Sequence, residues 1–294
     1  MKNILLSTLL SSLLLSSGLY AKSEIKSVNE VNKSAVKKGT QDALANQKKL
    51  IQEAITSLQY THEALVALDK KDKATAEKKI EKALGKLEVI LAAKDAPKFL
   101  PIDSSVTMVE YVGTKEDVKR SVDAVKDLLS DNKIQLARTL LNSLQSEIDI
   151  KITSLPLVTY PDALRLAAKY LHENQINKAK SVLEVALSTF DTTVTVIPVP
   201  LLKATDLINV SASLSKNGKK EDALKYLQAA EDELDVAEAL GYVSHSDTTY
   251  KALHKAIKDV RKEIKGKNKA EKLFDELKTK LKDFKDKIFS EKAK

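Results

Sequence analysis

Four segments of the chain share one pattern of apolar and polar positions. Each pattern opens with a small apolar residue, and further apolar residues follow it four, seven and eleven positions later. The opening residues are Ala76, Ala137, Ala179 and Ala223. Because these steps return to one face of an α-helix, each segment is predicted to be an amphipathic helix. The small opening residue allows a neighbouring helix to approach closely.

A leucine and a short polar stretch precede each opening alanine. The leucines are Leu68, Leu129, Leu171 and Leu214, which stand eight residues upstream in three segments and nine in the last. The sequences between, DKKDK, SDNKI, HENQI and SKNGKK, are typical of turns and helix caps. Each unit is therefore predicted to be a helical hairpin. One hairpin cannot bury its own apolar face, so the hairpins are expected to stack on one another.

Apolar, proline-containing linkers separate these hairpins at 99–103, 154–161 and 196–202. Such linkers need burial, which predicts an all-α fold of stacked hairpins in a compact helical bundle. Segments 105–112 and 192–199 are rich in β-branched residues and are candidates for one or two short extended or β segments. The sequence SEIDI at 146–150 is interpreted as the end of the helix before it. Gly241 fits a helix C-terminus.

The first residues are typical of a secretory signal peptide. Lys2 supplies the positive charge, a short apolar stretch follows, and a polar segment begins at Lys22. Cleavage is expected between Ala21 and Lys22, with cleavage after Gly18 as the alternative. The apolar stretch is shorter than the roughly 18 to 20 residues of a membrane span, which makes a retained anchor the weaker interpretation. We therefore expect a periplasmic protein.

The chain after residue 21 is predicted to have three parts. Residues 22–40 form a flexible N-terminal segment, residues 41–265 the helical-hairpin domain, and residues 266–294 a lysine-rich amphipathic helix. A docked helix or a partner-facing coiled coil is the simpler interpretation of the last part. Binding of this helix to a membrane surface is an alternative that its acidic residues weaken.

Composition and charge exclude several kinds of chemistry and of partner. The 294 residues include no cysteine, which excludes disulfides and thiolate chemistry. The net charge of +8 comes mostly from residues 255–294, where 15 basic residues face 8 acidic ones. These charges alternate along predicted helices without interleaved aromatic residues, so no nucleic acid partner is expected. Expected partners are other envelope proteins or a second copy of the chain.

The linker sequences and their order resemble the YfdX family of bacterial exported proteins. The matching sequences are LPID at 100–103, SEIDI at 146–150, SLPLVTYPDAL at 154–164, VIPVPLL at 196–202 and LGY at 240–242. The resemblance implies a mainly helical periplasmic protein associated with acid and envelope stress. It implies no catalytic residues.

Paired carboxylates are the first candidates for a ligand site. On a helix, Glu147 and Asp149 would point about 200° apart, which favours a structural role over a shared ligand. Asp162 follows Pro161 in the first turn of a helix, where the helix dipole stabilises a carboxylate. Together with Tyr160 and Tyr242, these three residues are the candidates for a ligand site.

The histidines predict pH sensitivity rather than metal binding. His172, His245 and His254 are candidate pH sensors, because histidine titrates between about pH 5 and 8. No HxH or HExxH pattern occurs, so neither a metal nor another cofactor is expected.

No nucleophile motif or phosphate-binding loop is present in the sequence, and we do not expect an enzyme. The leading hypothesis is a chaperone-like or regulatory binding protein of the envelope or acid stress response. The alternative is a small-ligand or ion binder with a pocket between hairpins, and a hydrolase is the third hypothesis.

Overall fold

The computed structural model describes residues 25–45, 51–244, 247–265 and 270–291. The predicted signal peptide and its cleavage site at Ala21 and Lys22 lie outside the described residues. The described residues form eleven helices and three strands. The helices are α1 (Val28–Ala45), α2 (Gln52–Asp69), α3 (Lys73–Leu91), α4 (Lys115–Ser130), α5 (Ile134–Asn142), α6 (Tyr160–His172), α7 (Ile176–Ala186), α8 (Val199–Lys216), α9 (Lys220–Ala239), α10 (Thr248–Lys265) and α11 (Glu271–Glu291). The strands are β1 (Phe99–Val109), β2 (Glu147–Pro156) and β3 (Asp191–Pro198).

The chain divides into two compact units rather than one hairpin domain with appended ends. The first unit contains α1, α4, α5 and α8 to α11, and the second contains α2, α3, α6 and α7. The division falls inside each of the three strands, which form one sheet in the order β1-β2-β3. The prediction of a mostly helical fold with short strands is confirmed.

The four predicted hairpins are α2–α3, α4–α5, α6–α7 and α8–α9. Each hairpin turn holds one residue in the left-handed backbone region, namely Lys71, Asn132, Asn174 and Gly218. The next amide donates a hydrogen bond to the carbonyl five residues earlier, which is the Schellman arrangement at a helix end. Three residues before the left-handed residue stand Leu68, Leu129, Leu171 and, in the fourth hairpin, Ser215 rather than Leu214. The fourth turn therefore has the same length as the other three. Gly241 ends α9 in the same way, with φ of 82°.

The segment predicted to be flexible forms a helix over most of its length. Helix α1 begins at Val28 and packs along α8. Its buried face repeats every four residues at Val31, Ala35, Gly39 and Ala43. This face consists of small residues, whose low hydrophobicity made the segment look loosely ordered.

The prediction that SEIDI ends a helix is wrong. Helix α5 ends at Asn142, and strand β2 begins at Glu147. Ile148 and Ile150 are buried, whereas the alternate residue Lys151 is exposed. This alternation has the two-residue period of a strand, which the helical repeat pattern obscured. The predicted extended segments coincide largely with the end of β1 and with β3.

Each unit has its own apolar core. In the first unit, Phe274, Leu277, Leu281 and Phe284 of α11 join a core built with α8, α9 and α10. The C-terminal helix is therefore docked. In the second unit, α2, α3, α6 and α7 surround a core that includes Leu100 and Leu155 of the strands. Among the described residues, no helix combines the length and apolarity that a membrane crossing requires.

Candidate functional site

The first unit brings three of the predicted ligand residues together. Tyr242 follows the left-handed Gly241, and its hydroxyl oxygen accepts a hydrogen bond of 2.8 Å from the Ser146 amide. Burial raises the pKa of the Tyr242 hydroxyl, and the negative charges of Glu147 and Asp149 raise it further. On a strand, residues two apart share a face, so the two carboxylates lie on the same side of β2 rather than 200° apart. The hydroxyl thereby joins the end of α9 to the start of β2.

The other two predicted ligand residues, Tyr160 and Asp162, belong to the second unit. Tyr160 is buried at the start of α6, and this burial raises its pKa to about 12. Asp162 is exposed and pairs with Arg165, with Oδ1 to Nη1 at 2.8 Å, while Nη2 of Arg165 bonds Glu88 at 2.6 Å. Asp162 therefore forms a surface ion pair, a contact worth little stability.

Two of the candidate pH sensors lie in the described residues. His172 is exposed, and its Nδ1 is 3.9 Å from Oε1 of Glu77. His254 is more enclosed, with Nδ1 3.5 Å from Glu231 and Nε2 3.8 Å from Asp235. His245 lies outside the described residues.

A polar pocket of about 440 Å³ surrounds His254 in the first unit. Its wall includes Asp235 and Glu238 of α9, and Lys115 contacts both, at 3.4 and 3.1 Å. Although burial opposes the charge of Lys115, the Glu238 hydrogen bond and the two carboxylate charges raise its pKa. Burial, and then these carboxylates, raise the pKa of the Tyr250 hydroxyl. The described residues contain no cluster of three or more His, Cys, Asp or Glu side chains suited to a metal ion.

The strongest candidate for function is an apolar surface on the α4–α5 hairpin. We name it the α4–α5 surface; it consists of Leu129, Ile134 and Leu141, while Leu136 is exposed on another side of α5. Leu129 and Leu141 are each 48% exposed, Ile134 60% and Leu136 58%. Helix α5 packs mainly against α4. Covering such exposed apolar side chains with a partner is energetically favourable, because it removes apolar surface from water.

The repeat shows why this surface is unusual. Leu141 stands four residues after the opening alanine of its hairpin, and its equivalents in the other three hairpins are Ile80, Leu183 and Leu227. All three equivalents are at most 1% exposed. Leu136, one residue before the alanine, corresponds to the polar residues Thr75, Lys178 and Asp222. The second hairpin therefore leaves a repeat position uncovered, and it also exposes an apolar residue, Leu136, where the other hairpins have polar residues.

Sequence reasoning missed this surface because it treated the four hairpins as equivalent. The available signal was the composition of α5, where apolar residues occur on more than one face, in IQLARTLLN. A helix that is apolar on several faces must be covered on several sides or must expose apolar surface.

Comparisons with known proteins show which family this chain resembles. Residues 57–196 match the family model described as YfdX protein. A solved structure of YfdX from Salmonella Typhi is similar at 14% sequence identity, covering 52% of this chain and 95% of that chain with a TM-score of 0.36. No curated protein matches the chain. Residues 57–196, slightly under half of the chain, are thus similar to the YfdX family.

Proposed function

We propose that this protein acts by binding other proteins rather than by catalysis, and that the α4–α5 surface is its contact. The observation that carries the proposal is the exposure of Leu141 and Leu129. Leu141 occupies a repeat position that is buried in the other three hairpins. The same holds for Leu129, because its equivalents Leu68, Leu171 and Ser215 are all buried.

The partner is an amphipathic helical segment of another protein. The equivalent positions Ile80 and Leu183 are covered by helices of the second unit, and Leu227 is covered by helices of the first. A foreign helix with apolar residues at steps of three and four would cover Leu141 in the same manner. This recognition mode depends on an apolar stripe rather than one sequence, as a chaperone-like or regulatory role requires.

The wider role that we propose is in the envelope or acid stress response of an exported, periplasmic protein. Three features support it: the signal-peptide pattern before Lys22, the similarity of residues 57–196 to the YfdX family, and the carboxylate of Glu233, whose pKa is raised by burial to about 6.

A fluorescently labelled amphipathic peptide of leucine and lysine tests the binding mode. Ile134 and Leu141 stand seven residues apart and so share one face of α5. Covering the exposed half of these two side chains is worth about 2 kcal/mol, so Ile134→Ser/Leu141→Ser should weaken binding about 30-fold. The control is Val89→Ser/Val185→Ser, which removes two exposed apolar residues of the second unit. Fluorescence anisotropy gives the affinities. Equal loss in both variants, or no binding by the unaltered protein, would contradict the proposal.

Light scattering on the same proteins separates a foreign partner from a second copy. If the chain forms a dimer that Ile134→Ser/Leu141→Ser dissociates, the surface serves self-association and the foreign helix is the wrong occupant.

A second candidate function is small-ligand binding in the pocket around His254. Its 440 Å³ lies within the range of ligand pockets, about 300 to 1,000 Å³. Its charged wall fits a polar ligand. Native mass spectrometry of purified protein should then show a retained small molecule, and Asp235→Asn should reduce its occupancy. A mass that equals the polypeptide in several preparations would contradict this alternative.

A further inference from the structure

Helix α10 carries five lysines at steps of four, three, four and three residues. These lysines, which we name the lysine stripe, are Lys251, Lys255, Lys258, Lys262 and Lys265. All five are exposed. At about 100° per residue, the stripe is centred about 140° around the helix from the buried ladder that begins at Tyr250 and ends at Ile264. The helix therefore uses one face for the core and presents the other as a row of positive charges.

The lysine stripe has no ion-pair partner among the described residues. The other basic side chains of α10 differ, because Arg261 bonds Glu231 and Gln228 of α9, and His254 faces Glu231. Asp259 is the exposed acidic residue of α10 and lies beside the stripe. Lys251, Lys255 and Lys258 also line the pocket around His254, so the carboxylates of that pocket lie near one end of the stripe without forming an ion pair with it.

Helix α11 is lysine-rich but does not form such a stripe. Over residues 271–285, where the structure describes the side chains, the exposed lysines are Lys272, Lys280 and Lys282, and they are interspersed with acidic residues that are also exposed. These acidic residues are Glu271, Asp275, Glu276 and Asp283. Helix α10 therefore displays its lysines as a continuous row, whereas residues 271–285 of α11 expose basic and acidic side chains together.

We propose that the lysine stripe binds the phosphate headgroups of an anionic lipid surface. The stripe spans 14 residue steps, or about 21 Å, along a helix. A straight row of charges on an exposed face can lie on a flat anionic layer, where each lysine contributes favourably at low salt. The apolar face of α10 is buried in the core, so contact is electrostatic and needs no insertion into the acyl chains. This contact differs from an inserted amphipathic C-terminal helix.

A lipid surface fits the stripe better than a nucleic acid does. All five residues are lysines, which act as point charges and suit headgroups without directional pairing. The stripe contains no aromatic residue for base stacking and no arginine for paired contacts to bases. The inference is independent of the proposed protein-binding function, because the α4–α5 surface and the stripe share no residue.

Vesicle co-sedimentation of the full chain tests the proposal. The probes are phosphatidylcholine vesicles with and without about 30% phosphatidylglycerol, at salt concentrations from about 0.05 M to about 0.5 M. We expect binding to the anionic vesicles that falls as salt rises. Replacing three lysines in Lys255→Gln/Lys258→Gln/Lys262→Gln should lower the partition coefficient about 100-fold at low salt. Circular dichroism checks that the variant keeps its helicity.

The matched control is Lys272→Gln/Lys280→Gln/Lys282→Gln, which removes the same charge from the exposed face of α11. It should change binding less than about threefold, because neighbouring carboxylates already balance these lysines. Three results would overturn the proposal: equal loss in the two variants, equal binding to neutral vesicles, or binding to a single-stranded oligonucleotide without binding to the anionic vesicles.

Discussion

Glu233 is the carboxylate whose replacement should change stability most informatively. It lies in the first unit beside the buried Lys203, with Oε1 3.7 Å from the lysine Nζ, and Asn32 donates a hydrogen bond to the same oxygen at 3.0 Å. Lys203 has a closer partner in Glu110 at 2.8 Å. Burial raises the pKa of Glu233 to about 6, more than the charge of Lys203 lowers it, and Glu110 adds to the rise.

The direction of the pH effect follows from the raised pKa. Between pH 4.5 and 6 the folded state binds more protons at Glu233 than the unfolded state does. Stability from this group is therefore greatest in acid and falls as pH rises through about 6. The difference between 4.5 and about 6 corresponds to about 2 kcal/mol.

Glu233→Gln removes the charge and keeps a side-chain oxygen that can accept the hydrogen bond from Asn32. At pH 7.5 we expect the free energy of unfolding to increase by about 2 kcal/mol relative to the unaltered protein. At pH 4.5 the increase should be below about 0.5 kcal/mol, because the native carboxyl is then mostly protonated. Lys203 retains its contact with Glu110 in both cases.

Urea unfolding followed by circular dichroism at the two pH values measures this difference. Glu276→Gln is the control, since this glutamate is exposed on α11 and its replacement should change stability by less than about 0.5 kcal/mol. A variant that is less stable than the unaltered protein at pH 7.5, or a gain that is the same at both pH values, would refute the argument.

Further predictions concern close packing and the Tyr242 hydrogen bond. Gly39→Ala should destabilise the protein by about 1 kcal/mol in urea unfolding, because the added methyl group would overlap the buried Leu202. Gly85→Ala should instead stabilise it by about 0.5 to 1 kcal/mol, since a methyl group there meets no neighbour within 4 Å on an exposed helix position; equal effects of the two alanines would contradict this reasoning. Tyr242→Phe should cost about 1 to 2 kcal/mol and speed amide exchange at Ser146, whose N–H loses its acceptor. Unchanged exchange would show that this amide has another acceptor.

The hairpins were predictable from the sequence because their apolar positions repeat with a helical period. The start of β2 was not, because Ile148 also fits the eleventh position of that repeat. The alternation of Glu147, Ile148, Asp149 and Ile150 was the competing signal, and it has the period of a strand. The helix after Val28 was missed because close packing of small residues, rather than large apolar side chains, covers its buried face.

The site was less predictable than the fold. Glu147 and Tyr242 are almost a hundred residues apart, and only the fold shows that the Tyr242 hydroxyl meets the chain at Ser146. Whether Leu141 is exposed also depends on which helices pack over it, and the repeat pattern carries no information about that packing. The lysine stripe, in contrast, was visible in the steps from Lys251 to Lys265 and was passed over because charge was summed over the whole C-terminal region.

Hydrogen exchange of α5 with and without the amphipathic peptide tests the central proposal most directly. Helix α7 is the internal reference, because it occupies the equivalent place in its own hairpin and its apolar face is already covered. We predict that the peptide slows amide exchange in Ile134–Asn142 and leaves Ile176–Ala186 unchanged. Unchanged exchange in α5 while the peptide is bound would contradict the assignment of this surface.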